Sequence, residues 1–265
     1  MTSTAEKAAA LSALHIAGDP LIVVNVWDAM TARIVARTPG VKALATASHS
    51  VAFSLGVDDG EGMSVDMALD AAGRITASTE LPVSVDFERG YAPDAAGVRD
   101  NVARLIEAGA AGLNIEDSLA GATSARRPIA DAAARVAAAR AAADAAGVPL
   151  AINARTDTLA ASPDSWDEAI ERANAYVDAG ATSIFMLGLR TSRHIADAVA
   201  AVRAPLAVFA HPGYLPLSEL AELGVGRISF GPQTLGLTLS HLADAAAQLT
   251  ARGDYPAELA FAYEL

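Results

Sequence analysis

The chain has 265 residues, 52% of them hydrophobic, with 31 Asp and Glu against 19 Lys and Arg, a formal charge of −12 and no cysteine. That length suits one (β/α)8 barrel. The missing cysteine excludes disulfide-stapled domains and thiolate metal sites, and the acidic balance argues against a nucleic-acid partner. The apolar fraction excludes disorder. No apolar run approaches the roughly 18 residues of a membrane span, and the N-terminus lacks signal-peptide flanks, which points to a cytoplasmic, non-membrane protein.

The first segment, MTSTAEKAAALSALHIAGDP, reads as a short surface helix. Eight short runs rich in Val, Ile and Leu follow, with the lengths of buried parallel strands. They are Leu21–Asp28, Ala43–His49, Pro82–Glu88, Gly112–Asp117, Leu150–Thr156, Ser183–Gly188, Leu206–Ala210 and Arg227–Pro232. Alanine-rich helical stretches such as IADAAARVAAARAAADAAG lie between them. Several helices end in EAGAAG, AAGVPL, DAGATS or ELGVGR, where glycine supplies the left-handed cap and a short loop enters the next strand. Eightfold β–α alternation predicts an α/β fold, a (β/α)8 TIM barrel, as one domain over residues 1–265. A doubly wound open sheet would need a glycine-rich first turn, and LIVVNVWDAM offers none.

In such a barrel the site forms at the C-terminal ends of the strands. The runs end, in order, on Asn25, Trp27 and Asp28; Ser48 and His49, with Asp58, Asp59 and Glu61 in the loop beyond; Asp86 and Glu88; Glu116 and Asp117; Asn153, Arg155 and Asp157; Met186 and Gly188; His211; and Gly231. Asp86 and Glu88, two apart in a strand, should point the same way, with Glu116 reaching the same space. Carboxylates this close repel unless a cation sits among them. An all-oxygen donor set favours a hard ion, Mg2+ with Mn2+ as a substitute. The plainer alternative has these acids capping helices or pairing with Arg89 and Arg155.

Arg155 could grip a carboxylate or phosphoryl oxygen bidentately, or be tied up by Asp117 or Asp157. Trp27, Asn153, Ser48 and His49 are the other candidates for contact with a substrate. His15, His194, His211 and His241 show no metal-ligand spacing and read as structural, with His211 set apart by its place after the seventh run. Lysine occurs only at positions 7 and 42. Neither position suits a Schiff base, and no P-loop occurs, which removes those chemistries.

The stretches NVWDAMTARI, ATASHSVAFSLGVDDGEGMS, LPVSVDFERGY, AGAAGLNIEDS, RRPIADAAARVAAAR, INARTDT and PGYLPLSELAELGVGRISFGP follow in the order of a known family. From about residue 20 to residue 235 the chain resembles the isocitrate lyase/phosphoenolpyruvate mutase superfamily. The resemblance implies an Mg2+-dependent barrel that forms or breaks a C–C or P–C bond beside a carboxylate. It would place the metal on Asp86, Glu88 and Glu116, with Asp59 in the outer shell. Arg155 would bind substrate, and the backbone around Ser48 and His49 would hold its carboxylate. Catalytic roles then fall on Arg155, Asp59 and Glu116. Members form tetramers or dimers that exchange C-terminal helices, a role for Leu237–Leu265.

Two features depart from the family. The stretch SLAGATSARRP carries neither the lysine and cysteine of a KKCGH-type gating loop nor the Lys/Asn loop of the mutases, which argues against isocitrate lyase itself. Asp86 and Glu88 stand where many relatives have two aspartates. The leading expectation is a lyase that cleaves a small 2-oxo or 2-hydroxy carboxylate through an enolate. The alternatives are phosphonomutase or phosphonopyruvate hydrolase chemistry, and a non-catalytic barrel that binds an organic acid.

Overall fold

The structure, a computed structural model that describes residues 2–119 and 122–261, places a strand within each of the eight runs. These are β1 (Leu21–Val26), β2 (Leu44–Thr46), β3 (Val83–Asp86) and β4 (Gly112–Glu116); then, after a hairpin of β5 (Ser118–Leu119) and β6 (Ala122–Arg126), β7 (Ala151–Thr156), β8 (Ser183–Met186), β9 (Leu206–Phe209) and β10 (Arg227–Ser229). The eight are parallel and close in the order β1-β10-β9-β8-β7-β4-β3-β2, a (β/α)8 barrel. The hairpin stands outside the barrel, in the stretch that follows β4. Residues 120 and 121 of SLAGATSARRP lie outside the described residues.

Alternation along each strand sorts the side chains. Leu113, Ile115, Ile152 and Ala154 are buried against the helices. On the other face, Asn153 donates to Asn114 at 2.8 Å and Ser183 to Asn153 at 2.7 Å. Arg227 on β10 reaches Ser84 on β3 at 3.1 Å, a contact that must cross the lumen because β1 and β2 separate those strands. The barrel interior is therefore polar and hydrogen-bonded, as burial of polar groups requires.

The surrounding helices are α1 (Thr4–Ala13), α2 (Ala29–Ala36), α3 (Ser48–Ser54), α4 (Val65–Thr76), α5 (Ala95–Glu107), α6 (Ile129–Ala145), α7 (Thr158–Ala161), α8 (Trp166–Asp178), α9 (Ser192–Ala201), α10 (Leu217–Glu222) and α11 (Gln233–Thr250). Side-chain caps fix several starts: Asp28 accepts from Thr31 N at 2.7 Å and Asp94 from Gly97 N at 2.9 Å. The four helix-ending phrases place Gly109, Gly147, Gly180 and Gly224 at positive φ, between 66° and 101°.

Two expectations need correction. The strands stop earlier than the apolar runs do: Asp28 is a helix cap, Ser48 and His49 open α3, and Glu88 has a φ of 46°, which no strand accommodates. The N-terminal helix is not confined to the surface. Ala8 and Leu11 are fully buried, and Leu11 packs against the backbone at Gly112. In α11, by contrast, Leu235 is buried while Leu237 and Leu242 are 61% and 64% exposed. No helix among the described residues is long and apolar enough to cross a membrane.

Just beyond α1, His15 is buried with Nδ1 on Leu11 O at 2.8 Å and Nε2 unpartnered. Burial, reinforced by the Arg227 cation, lowers its pKa to about 4. A histidine whose folded pKa lies below its unfolded value stabilises the fold above about pH 6.5 and loses that contribution as the pH falls towards 4. Between pH 7 and pH 5 this one group should cost about 2 kcal/mol of stability. Urea unfolding of His15→Gln should show a correspondingly shallower acid dependence; an identical slope would refute the assignment.

Candidate active site

Asp86, Glu116 and Arg155 gather at the C-terminal end of β3, β4 and β7. The strand register pairs Asp86 with Asn114, then Glu116 with Arg155 two residues higher. Asp86 Oδ2 accepts from the Ser48 backbone N–H at 3.0 Å, and its own N–H donates to Thr46 Oγ1 at 2.8 Å. Burial pushes its carboxyl pKa up, Arg155 and Ser48 work in the opposite direction, and Asp59 adds to the rise. Glu116 accepts from the Ser118 hydroxyl and pairs with Arg155 at 2.9 Å. Burial raises its pKa as well, against the pull of Arg155.

Arg155 is held from two sides. Its Nε and one terminal nitrogen donate to Asp157 at 2.6 and 2.9 Å, and the other terminal nitrogen pairs with Glu116. Phe185 lies against the guanidinium, 5.7 Å from its centre. Burial disfavours the cation, but Glu116 and Asp157 more than offset this and hold its pKa above the ordinary value. The Nε–H and one terminal N–H are thus committed to Asp157, and the other terminal nitrogen lies in the ion pair with Glu116. Asp117, the other partner considered for Arg155, instead accepts from Tyr176 at 2.8 Å and lies 3.5 Å from Arg172.

Glu88 behaves differently from its neighbours. Because β3 ends at Asp86, the two acids do not share a strand face. Glu88 accepts from the Tyr91 hydroxyl and from the Glu61 backbone N–H. Glu61, from the loop after α3, in turn accepts from Tyr91 N at 2.8 Å and from Arg89 at 3.2 Å. Arg89 also reaches Gly60 O at 2.7 Å. Three non-glycine residues here, Glu61, Glu88 and Tyr91, have φ of 62°, 46° and 53°. Each costs on the order of 1 kcal/mol, so the surroundings must impose them. Buried Arg135 of α6 does part of this, donating to the carbonyls of Arg89, Ala92 and Pro93 at 2.6–3.2 Å.

The remaining candidates are dispersed. Asp59 is exposed on its loop and acts on Asp86 and Glu88 through charge alone. Asn153 lies one layer below Arg155, with its amide spent on Asn114 and Ser183. Trp27 packs with Val51, Ala52 and Met63. His49 stacks on Phe53 at 4.1 Å. The structure thus joins Asp86, Glu88, Glu116, Arg155 and the Ser48 backbone, and leaves Trp27, His49 and Asn153 apart from them. Tyr91, Arg89, Glu61 and Ser118 complete the cluster. DFERGY and IEDS contain most of them, but only the reversal of the chain at Glu88 brings them together.

Among the described residues no three His, Cys, Asp or Glu converge closely enough to hold a metal ion directly. Mg2+ suits such a set, since it keeps several waters and takes one or two carboxylates. Asp86 has one oxygen free of protein hydrogen bonds, whereas Glu88 and Glu116 are partly engaged and would act through water. The mutual repulsion of Asp86, Glu88, Glu116 and Asp59 is the electrostatic deficit a cation would fill.

Fold and cluster together define a parallel α/β barrel with an acidic cluster, Arg155 and Arg89 at the C-terminal mouth. The sequence model described as phosphoenolpyruvate phosphomutase matches residues 11–250, and the chain belongs to this family, within the isocitrate lyase/phosphoenolpyruvate mutase superfamily of lyases and mutases. It is 39% identical to 2-methylisocitrate lyase of Escherichia coli over 68% of this chain and 63% of that protein. It is 36% identical to oxaloacetate decarboxylase of Rhodopseudomonas palustris over 70% and 67%. A Burkholderia cenocepacia structure assigned as a phosphonomutase superposes with a TM-score of 0.88 at 42% identity, covering 93% of this chain and 99% of that one.

Burial, helped by the charges of Asp86 and Asp59, raises the Glu88 pKa to about 7 despite the Tyr91 hydrogen bond, which favours the ionised form. In metal-free protein the infrared carboxyl band lost in Glu88→Gln should titrate near pH 7. Tyr91→Phe should move that midpoint upward. A midpoint near the free-glutamate value of about 4.3 would contradict this.

Proposed function

We propose that the chain is a cytoplasmic, Mg2+-dependent lyase that cleaves a C–C bond in a small 2-oxo or 2-hydroxy carboxylate through an enolate. The observation that carries this reading is Arg155, fixed by Asp157 and Glu116 and in the field of the Asp86 carboxylate. A planar guanidinium held rigid in this way suits a carboxylate or an enediolate.

Asp86 would hold the ion directly, with Glu88 and Glu116 contributing through water; Mn2+ would serve in its place. Bound there, the ion supplies Lewis-acid stabilisation of the charge that develops on the substrate oxygens. Arg155 binds and orients the substrate carboxylate and shares that developing charge. Asp157 and Glu116 stop the guanidinium from rotating, so little reorganisation accompanies the reaction. The Glu61–Arg89–Tyr91 cluster pins the loop after α3 beside the mouth, and α1 covers the opposite end of the barrel around Leu11, which restricts the entry of water. For a 2-hydroxy acid, the hydroxyl would give its proton to a base and become the carbonyl of one product as the C–C bond breaks, while the bonding pair would pass to the other product as an enolate that then takes a proton.

A P–C substrate is the second reading, favoured by the family model that matches and by the relative assigned as a phosphonomutase. Against it, the stretch after β4 lacks the lysine that mutases carry there. A homo-oligomer is supported by the leucines left exposed on α11, an apolar face that a second copy would cover.

A screen of 2-oxo acids, 2-hydroxy acids and phosphonopyruvate, with and without Mg2+, separates the readings: turnover of phosphonopyruvate alone would replace the first with the second. Saturating Mg2+ at about 100 times its Kd should stabilise the wild type by about 2.7 kcal/mol. Asp86→Ala should abolish that thermal shift, and a retained shift would place the metal elsewhere. Arg155→Lys should lower kcat/KM at least tenfold, about 1.4 kcal/mol, because one ammonium cannot reproduce the paired donors. Wild-type activity in this variant would make Arg155 purely structural.

A further inference from the structure

Asp157, which orients Arg155, is itself held from behind by a buried polar chain that runs out to α8. It stands at the start of α7, where an aspartate commonly turns its carboxylate back onto the first helical N–H groups. Here it caps nothing. The carboxylate faces Arg155 instead, at 2.6 and 2.9 Å, and the backbone sits at φ −97° and ψ 13°, in the sparsely populated bridge region.

Asp117, just beyond β4, supplies the hold. One of its carboxylate oxygens accepts from the Asp157 backbone N–H at 3.1 Å. The other accepts from the Tyr176 hydroxyl at 2.8 Å and lies 3.5 Å from Arg172, one turn earlier on α8. Arg172 also donates to Arg127 O at 2.8 Å, and the Arg127 N–H returns to Asp117 O at 2.8 Å. On its outer side Arg172 pairs with Glu168 at 2.8 Å. Asp117, Arg172 and Tyr176 are all buried.

Fastening α8 to the barrel would need no more than apolar packing, which stabilises about as well as a buried ionic pair of the same volume. Satisfied polar contacts add direction. Asp117 spends one oxygen on α8 and the other on the Asp157 backbone, so three hydrogen bonds in series carry the position of Tyr176 to Arg155. Without that tether the Asp157 carboxylate has a competing use. It would be free to cap α7, and one side of Arg155 would be released.

We propose that Asp117 and Tyr176 are positioning residues for the reaction. They keep the Asp157 carboxylate on Arg155 and off the start of α7, and so hold the guanidinium in the orientation that takes a substrate carboxylate. The inference rests on the reading of Arg155 as the group that binds substrate, and adds two residues that act through it.

Oxalate, a planar dianion with an O–C–C–O frame like that of an enolate beside a carboxylate, is the probe, titrated calorimetrically into the Mg2+-loaded protein. Tyr176→Phe removes one hydroxyl and keeps the ring, so it should fold. It should weaken oxalate by about fivefold or more, the scale of one lost hydrogen bond. No charge is lost, so the Mg2+ affinity should stay within about twofold of the wild type, whereas a general loosening of the barrel would lower both. In an Arg155→Lys background the same substitution should cost almost nothing further, because the group it orients is gone. Asp117→Ala should weaken oxalate more than Tyr176→Phe does, and Asp117→Asn, which keeps an acceptor for the Asp157 N–H, should recover part of the loss. Unchanged oxalate affinity in Tyr176→Phe, a parallel loss of Mg2+, or equal losses in both backgrounds overturns the positioning role and leaves Arg155 in place. Oxalate affinity that Arg155→Lys does not alter, or no binding of oxalate by the wild type, overturns both readings.

Discussion

Arg155 between Glu116 and Asp157 is the constraint on which the mouth of this barrel depends. A guanidinium taken out of water loses its hydration, and only well-placed acceptors make up for that loss. Two carboxylates do so here at 2.6–2.9 Å, one from the neighbouring strand and one two residues along its own. The arrangement fixes more than a charge. With two N–H groups committed to Asp157 and the other terminal nitrogen paired with Glu116, the plane of the guanidinium is set. Removing either acid would leave a buried cation partly unpaired, a change that typically costs 3–5 kcal/mol when a buried pair is broken.

The same argument extends downward through the lumen. Arg227 is fully buried with Ser84 as its side-chain partner, and burial lowers its pKa to about 10, with Asp86 pulling the other way. Asp86 thus lies in the field of two arginines, one above and one across the barrel, and of the carboxylates beside it. The asparagine–serine chain through Asn114, Asn153 and Ser183 fills the space between with satisfied hydrogen bonds in place of apolar packing. Such an interior gives up some hydrophobic stabilisation but keeps charged groups at fixed positions under the site. The outer layer of Val, Leu, Ile and Ala then carries most of the burial.

Most of the fold could be read from the chain because its signals are local. A buried strand shows as a Val/Ile/Leu run, and a helix end shows as a glycine that must take positive φ, as Gly109, Gly147, Gly180 and Gly224 do. Strand ends were less legible, since hydrophobicity continues past the last ladder bond: Ser48 and His49 look like the end of a strand and belong to a helix. Glu88 shows the limit most clearly. Spacing places it on the same face as Asp86, but its left-handed backbone is imposed by Glu61, Tyr91 and Arg135, residues 27, 3 and 47 positions away, whose cooperation no local pattern encodes. Asn153 lies below the mouth for a related reason. Being at a strand's C-terminal half does not put a side chain at the mouth when the layer above it, Arg155, already occupies that level.

The charge distribution finally shows how a chain of net charge −12 holds a guanidinium at its barrel mouth. What a small ligand meets is the local field, and within a low-dielectric mouth a few oriented groups outweigh distant surface charge. Here the acids divide their work. Glu116 and Asp157 are consumed in orienting Arg155, and Glu88 in holding a loop. Asp86 is engaged by Ser48, whose backbone N–H donates to its Oδ2. An acid engaged in a hydrogen bond or ion pair no longer projects its full charge at a ligand. The acidic residues nearest the mouth therefore build the geometry that a cation and an arginine need, and they do not merely repel what that geometry is shaped to hold.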